Sequence, residues 1–433
     1  MIFRPRLALI AALLCPVVLL VPDDPWWALL GVGLAVFVVW LADFLLAPST
    51  STIGVARRLP RSLTLERPAS ISWTIRNNGR SGGRVGFADA LAPSLRAEAR
   101  RAELDLAAGR TATVETDVLP ARRGRFHLGE LVVRTYGPLG FAGRQKARYL
   151  PAELRVLPRF PSRAEAELRQ RKSRLEVGLR SARARGGGSE FEQLRDFTID
   201  DEFRKIDWSA TARAGRTIVR TYRAERNQTV INVLDNGRLM AGRVADVPRV
   251  EYAMDAIMAL TTLSTGLGDR AGLLVFDKEV RASVPASNRS TQLGRITDAM
   301  FDIEPELAES DYRGAFTETL VRFNRRTMLV IHTELAEQTV GEFLLPALPL
   351  LTRSHVVVIA SVRDPLVEQW AYGIPRDEEE TYRHTAAIAA LAERERTKAL
   401  LTRSGASVVD AAPGTLAGRL MDNYLEVKAT GRL

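Results

Sequence analysis

The chain opens on two apolar runs, neither with a polar face. The first, about 7–22, is broken only by Pro16; the second, about 26–47, carries a single charge, Asp43, near its end. A helix needs roughly 20 apolar residues to cross a bilayer, so the second run is long enough and the first is short. No small-residue cleavage site follows the first run, and Pro22-Asp23-Asp24-Pro25 joins it to the second. This predicts a transmembrane two-helix hairpin over 1–50 rather than a removed signal. Arg4 and Arg6 flank one outer end, Arg57, Arg58 and Arg61 the other, and the connection has no base. Basic flanks stay on the cytoplasmic side. A multi-pass protein of the cell inner membrane with both termini in the cytoplasm is therefore expected.

From 55 to 158 the period changes to two. Leu63-x-Leu65, Ile71-x-Trp73-x-Ile75, Ala112-x-Val114-x-Thr116-x-Val118 and Phe126-x-Leu128 are alternating runs bounded by turns at Asn77-Asn78-Gly79, Ser81-Gly82-Gly83 and Ala108-Gly109. Short strands at this spacing predict a small antiparallel β-sandwich. Phe160 to Arg185 then reads as a basic amphipathic helix, with Ser162 as N-cap and Leu168, Leu175 and Leu179 close to one face.

Beyond 229 strands and helices alternate. Thr229–Leu234 reads as a strand, Val247–Leu267 as a helix turning Val250, Met254, Ile257 and Met258 inward, and Ala271–Phe276 as a strand with a hairpin partner in Glu279–Val284. Helices follow at Thr291–Phe301 and Tyr312–Phe323. Apolar strands at Thr327–Ile331 and His355–Ala360 precede a last one, Ser407–Val409, between helices starting at Glu378 and Thr415. This rhythm predicts an α/β fold with a mainly parallel sheet covered on both faces over 229–433, its ligands gathering at the carboxyl ends of the strands.

Composition sharpens this picture in two places. The net charge is +10, and between Arg159 and Arg185 nine Lys and Arg face three Glu. Such a segment suits anionic lipid, nucleic acid or an acidic protein surface, but it lacks the interleaved aromatics used to stack bases. The single cysteine, Cys15, excludes an internal disulfide framework and a cysteine zinc site. The four histidines are scattered, and the chain has no phosphate loop, no His-Glu-x-x-His and no nucleophile elbow. No enzymatic constellation emerges.

Between 159 and 228 the basic helix gives way to a segment of a different kind. Gly188-x-Glu190-Phe191-x-x-Leu194-Arg195-Asp196-Phe197, followed by Asp200-Asp201-x-x-Arg204-x-Ile206-Asp207-Trp208-x-x-Thr211-Ala212-Arg213, resembles the signature of the bacterial family called domain of unknown function 58. Asp200-Asp201 stands where that family usually has Gly-Asp. The stretch from Arg122 to Gly129 and Tyr136-Gly137-Pro138-Leu139-Gly140 are similar to the family's lead-in. The resemblance implies a membrane-anchored protein with a von Willebrand factor A-like (Rossmann-like) domain, often encoded beside MoxR-type AAA+ ATPases. It thus implies a protein-binding adaptor, with Glu190, Arg195, Arg204, Asp207, Trp208 and Arg213 as contact residues. Alternatives are binding of nucleic acid or anionic lipid through 159–185 and a metal-dependent hydrolase.

Leu234-Asp235-Asn236-Gly237-Arg238-Leu239-Met240 stands where von Willebrand A domains carry Asp-x-Ser-x-Ser for a divalent ion. Gly237 and Leu239 replace the serines, Ser310 takes the place of a threonine and Glu334 that of an aspartate. Asp235, Ser310 and Glu334 still offer oxygen, which hard Mg²⁺ requires, but two ligand positions are lost. A degenerate, metal-free site without cofactor is expected. The plainer reading of Asp235 is a turn satisfied by backbone amides.

Overall fold

The computed structural model describes residues 2–3, 25–183, 190–198, 203, 206–223 and 228–430. Its contacts divide the chain into two units, Met1–Leu157 and Pro158–Leu433.

The first unit holds strand β1 (Ile2–Phe3) and helix α1 (Pro25–Leu46). Among the described residues α1 is the one helix long and apolar enough to cross a membrane; the expected first span, 7–22, lies outside them. Leu30, Leu34, Phe37, Val38, Leu45 and Leu46 all face outward from it. After α1 come β2 (Ile53–Arg58), β3 (Leu63–Thr64), β4 (Ala69–Asn77), β5 (Gly83–Asp89), β6 (Arg101–Leu106), β7 (Thr111–Val118), β8 (Gly124–Tyr136) and β9 (Ala142–Leu157). One sheet runs β1-β9-β8-β5-β6 with β3 beside β9, the other β2-β4-β7. Pairing is antiparallel except between β3 and β9. Alternation along β4 explains the shared core: Ile71, Trp73 and Ile75 point inward to Val85, Phe87, Leu131, Val133 and Leu154 of the other sheet. Within that core Asp89 receives Trp73 Nε1 at 2.6 Å and the Arg57 guanidinium at 2.6 and 2.7 Å.

In the second unit come α2 (Arg163–Arg183), a small hairpin of β10 (Glu190–Asp196) and β11 (Ile218–Arg223), and between them α3 (Trp208–Ala214). A six-stranded sheet follows. Its strands are β12 (Thr229–Asp235), β13 (Arg270–Phe276), β14 (Val280–Ser287), β15 (Met328–His332), β16 (Val356–Val362) and β17 (Ser407–Ala411). Their order is β14-β13-β12-β15-β16-β17, parallel throughout except for the edge strand β14. Helices α4 (Arg249–Gly266), α5 (Gln292–Met300), α6 (Tyr312–Arg322), α7 (Leu345–Thr352), α8 (Pro365–Tyr372), α9 (Glu378–Arg403) and α10 (Leu416–Ala429) accompany it. Two large cores, one built with α4 and α10 and one with α6 and α7, bury β12, β15 and β16 on both faces. This is why those strands read as unbroken apolar runs.

In α2 the leucine face is the outer one. Leu168 and Leu175 are 66% and 67% exposed, whereas Ala166 and Ser173 are buried. The helix packs on α4 and α10 through small residues, which allow close approach. Ser162, the expected cap, directs its hydroxyl to Asp255 Oδ2 at 2.5 Å instead.

Candidate functional site

Asp235 ends β12, and the chain turns sharply after it. Its carboxylate is buried and has four donors. Oδ1 receives the Gly237 amide at 2.9 Å and the Ser310 hydroxyl at 2.5 Å; Oδ2 receives Tyr312 Oη at 2.6 Å and Thr333 Oγ1 at 2.7 Å. An ionised carboxylate offers about four lone-pair positions, so the protein itself occupies them all. Burial first, then the Asp235 charge and hydrogen bond, push the Tyr312 phenol well above its usual range and keep it a proton donor.

Glycine at 237 leaves room for this arrangement. A Cβ there would collide with Ser310 Oγ, so Ser310 occupies the space that a serine at 237 would need. Asp311 fixes the approach of the loop: its side chain accepts the Gly314 amide at 2.9 Å, capping α6, and its own amide donates to Asp277 O at 2.8 Å. Tyr312 then leads α6, with Phe276 and Phe316 edge-on to its ring.

The structure brings Asp235 and Ser310 together but binds Glu334 elsewhere. Glu334 Oε1 accepts Arg394 Nη1 at 2.5 Å, and Oε2 lies 3.1 Å from Arg249 Nε and 3.2 Å from Ser361 Oγ. Arg394 also grips Asp410 through Nε and Nη2 at 2.9 and 2.8 Å. Burial works against the Arg394 charge, but Asp410 and Glu334 outweigh it and raise its pKa. This arginine thereby ties together the carboxyl ends of β15, β16 and β17.

Sequence reasoning missed Tyr312 and Thr333. The register offers a signal for the second: Leu234 pairs with His332, so Thr333, not Glu334, stands level with Asp235. His332 itself is a core residue, its Nε2 3.1 Å from Asn232 Oδ1. Burial brings its pKa down to about 3 and holds it neutral. Among the described residues no group of three or more His, Cys, Asp or Glu is placed to hold a metal ion.

The family-signature residues lie on the β10–α3–β11 segment. Glu190 and Arg195 stand on β10, paired with Arg223 and Val219; Arg204 lies outside the described residues. Asp207 is buried as the N-cap of α3, accepting the Ser209 and Ala210 amides, both at 3.0 Å, while its own amide donates to Ile218 O at 2.9 Å. Gly215, at φ +64°, closes the helix and donates to Thr211 O. Thr211 Oγ1 in turn accepts the Ile218 amide at 2.9 Å. On this locked turn Trp208 is 69% exposed, and Phe203, packed on Phe197 at 5.5 Å between centroids, is 76% exposed. Arg213 is exposed on the last turn.

Comparison with known proteins places residues 193–373 in a match to the family described as protein of unknown function DUF58. Uncharacterised proteins of Mycobacterium tuberculosis and Mycobacterium bovis are 32% identical over 101 residues, 23% of this chain. The match spans 32% of the length of those relatives. Among solved structures, conserved hypothetical protein BatB from Bacteroides thetaiotaomicron is 15% identical with a TM-score of 0.33, covering 47% of this chain and 99% of that one. An aerotolerance-related membrane protein from Bacteroides fragilis, carrying multiple mutations to serines, is 13% identical with a TM-score of 0.29, covering 46% and 98%.

Proposed function

We propose, from the premise that residues 193–373 belong to the family of proteins of unknown function DUF58, that this chain is a membrane-anchored adaptor without chemistry of its own. Its second unit is von Willebrand A-like and recognises a partner protein, a MoxR-type AAA+ ATPase that consumes the ATP. The observation that carries this reading is the signature turn. Trp208 stands out on a helix clamped at both ends, by Asp207 and by Gly215. Exposed aromatics on rigid backbone are the usual anchors of protein interfaces, because little side-chain freedom is lost on binding.

Other features support the finer parts. The six-strand order with an antiparallel edge supports the von Willebrand A-like assignment. The saturated Asp235 supports recognition without a metal. A second span receives support from β1: Ile2 and Phe3 pair with Gly143 and Ala142, and the Ala142 amide donates to Asp43 near the end of α1. Pro25 stands at the opposite end of that helix, about 27 Å from Asp43 at 1.5 Å per residue. Phe3 and Pro25 thus stand at opposite ends of α1, which supports a two-span anchor in the inner membrane with both termini cytoplasmic.

The test is affinity purification of the full chain from detergent-solubilised membranes. A MoxR-type ATPase should co-purify with the wild type and be largely lost with Trp208→Ala, whose melting temperature should be unchanged because the indole is exposed. Equal recovery from both proteins would remove the signature turn from the interface.

A further inference from the structure

The loop joining β8 to β9, Gly137-Pro138-Leu139-Gly140-Phe141, carries an oddity: its corner residue Leu139 is 55% exposed, where turns usually place polar residues or glycine. Its backbone is equally unusual for a surface loop. The Gly137 amide donates to Ala142 O at 3.1 Å and the Gly140 amide to Gly137 O at 3.0 Å; Pro138 has no amide hydrogen to satisfy. The amides of Leu139, Phe141 and Ala142 all donate to the buried carboxylate of Asp43, at 2.7, 2.7 and 2.9 Å. Every backbone N–H from Gly137 to Ala142 thus has an acceptor within the protein. A Cβ at Gly137 would strike Asp43, and Gly140 sits at φ +71°, so both glycines serve this close approach.

Asp43 lies three residues before the end of α1, about 4.5 Å along the helix axis. On its free sides the same turn exposes Leu45 and Leu46. Nearby the Arg144 guanidinium lies 4.7 Å over the Phe44 ring, and Nη2 donates to Phe44 O at 3.4 Å. Irregular backbone exposed to hydrocarbon costs several kcal/mol for each unsatisfied polar group, so a loop whose amides are already engaged approaches acyl chains at lower cost. The amides of this loop are engaged in this way, its corner carries an apolar side chain, and Asp43 fixes it level with apolar helix surface.

We propose that the Gly137–Phe141 loop enters the lipid interface beside the last turn of α1, with Leu139 among the acyl chains and Arg144 at headgroup level. The proposal rests on the membrane-anchor reading of α1. It makes the first unit a body seated in the bilayer surface rather than one tethered at a distance, with Asp43 as the joint.

The test uses the full chain with Cys15→Ser, a single cysteine introduced as Leu139→Cys or Tyr149→Cys, an environment-sensitive fluorophore on that thiol, and vesicles of phosphatidylcholine and phosphatidylglycerol. Tyr149, exposed farther along β9, is the comparison site. The label at 139 should be quenched by a lipid-borne quencher and protected from aqueous iodide, and the label at 149 should show the reverse. If the chain floats with the vesicles while iodide quenches both labels alike, loop insertion is wrong and the anchor stands. If the chain does not float at all, the anchor reading falls and the inference falls with it.

Discussion

At the carboxyl ends of neighbouring strands, two carboxylates are closed off by opposite means. Asp235, the last residue of β12, is held by one amide and three neutral hydroxyls. Glu334, just after β15, is held chiefly by the guanidinium groups of Arg249 and Arg394. Where a sheet of this order ordinarily receives ligands, both positions are filled by the chain itself. The difference lies in what each closure can tolerate. Hydroxyls satisfy a carboxylate without neutralising it, so Asp235 depends on complete solvation by protein donors. The Glu334–Arg394–Asp410 group depends on charge balance, and one arginine serves two carboxylates.

Removing that arginine should have the largest effect. Arg394→Ala leaves Asp410 buried and Glu334 largely so, and breaking a buried ion pair from one side costs about 3–5 kcal/mol. Thermal or urea unfolding of the full chain should register a loss of that order in the transition assigned to the second unit. Arg394→Lys should recover only part of it, because an ammonium cannot reproduce the two-pronged contact with Asp410. A loss below about 1 kcal/mol, the range of exposed pairs, would mean that water screens this cluster and that the contrast with Asp235 is weaker than drawn.

Much of this arrangement is legible in the amino-acid order, and the rest is not for physical reasons. Runs such as Val230–Leu234 and Val357–Ala360 declare strands buried on both faces, and the inward side of α4 follows from Val250, Met254, Ile257 and Met258, all buried. Asp235 is visible as the residue closing the first such run. Its donors are harder to see, since Ser310, Tyr312 and Thr333 lie far along the chain and only strand register aligns them. Glu334 attracts attention as an acid, yet the neighbouring Thr333 makes the contact. In α2 the leucines mark an apolar face, but the neighbouring helices select Ala166 and Ser173 because small side chains permit closer packing. Periodicity reports which face is apolar; it does not report which face finds a partner.

A smaller effect should follow from weakening the neutral closure. Tyr312→Phe removes one donor from a buried carboxylate, and a hydrogen bond to a charged group contributes about 1.5–3 kcal/mol. The pH dependence has a definite sign. The folded pKa of Tyr312 lies above the unfolded value, so the phenol's contribution is fully present below about pH 10 and is lost as pH rises through the folded pKa. Unfolding free energies followed from neutral to alkaline pH should therefore decline less steeply in Tyr312→Phe. Tyr424, raised by burial and then by Asp269, keeps part of the alkaline decline in both proteins. Identical slopes would show that Tyr312 is not the donor sealing Asp235.

The smallest expected effect is also the most direct test of what the hydroxyl closure accomplishes. A ligand that binds only the folded state raises stability by RT ln(1 + [L]/Kd), so a magnesium site would appear as a concentration-dependent rise in melting temperature. Magnesium requires near-octahedral oxygen at about 2.0–2.1 Å. Here Gly237 and Leu239 supply no side-chain oxygen, Glu334 is engaged by arginine, and Tyr312 and Thr333 occupy one oxygen of Asp235. A cation would have to displace hydroxyls that are already in place, with too few oxygens to replace its water. No magnesium-dependent shift is expected for the wild type. A shift that vanishes in Asp235→Asn would mean that the hydroxyls yield to the ion, and that the neutral closure is a gate rather than a seal.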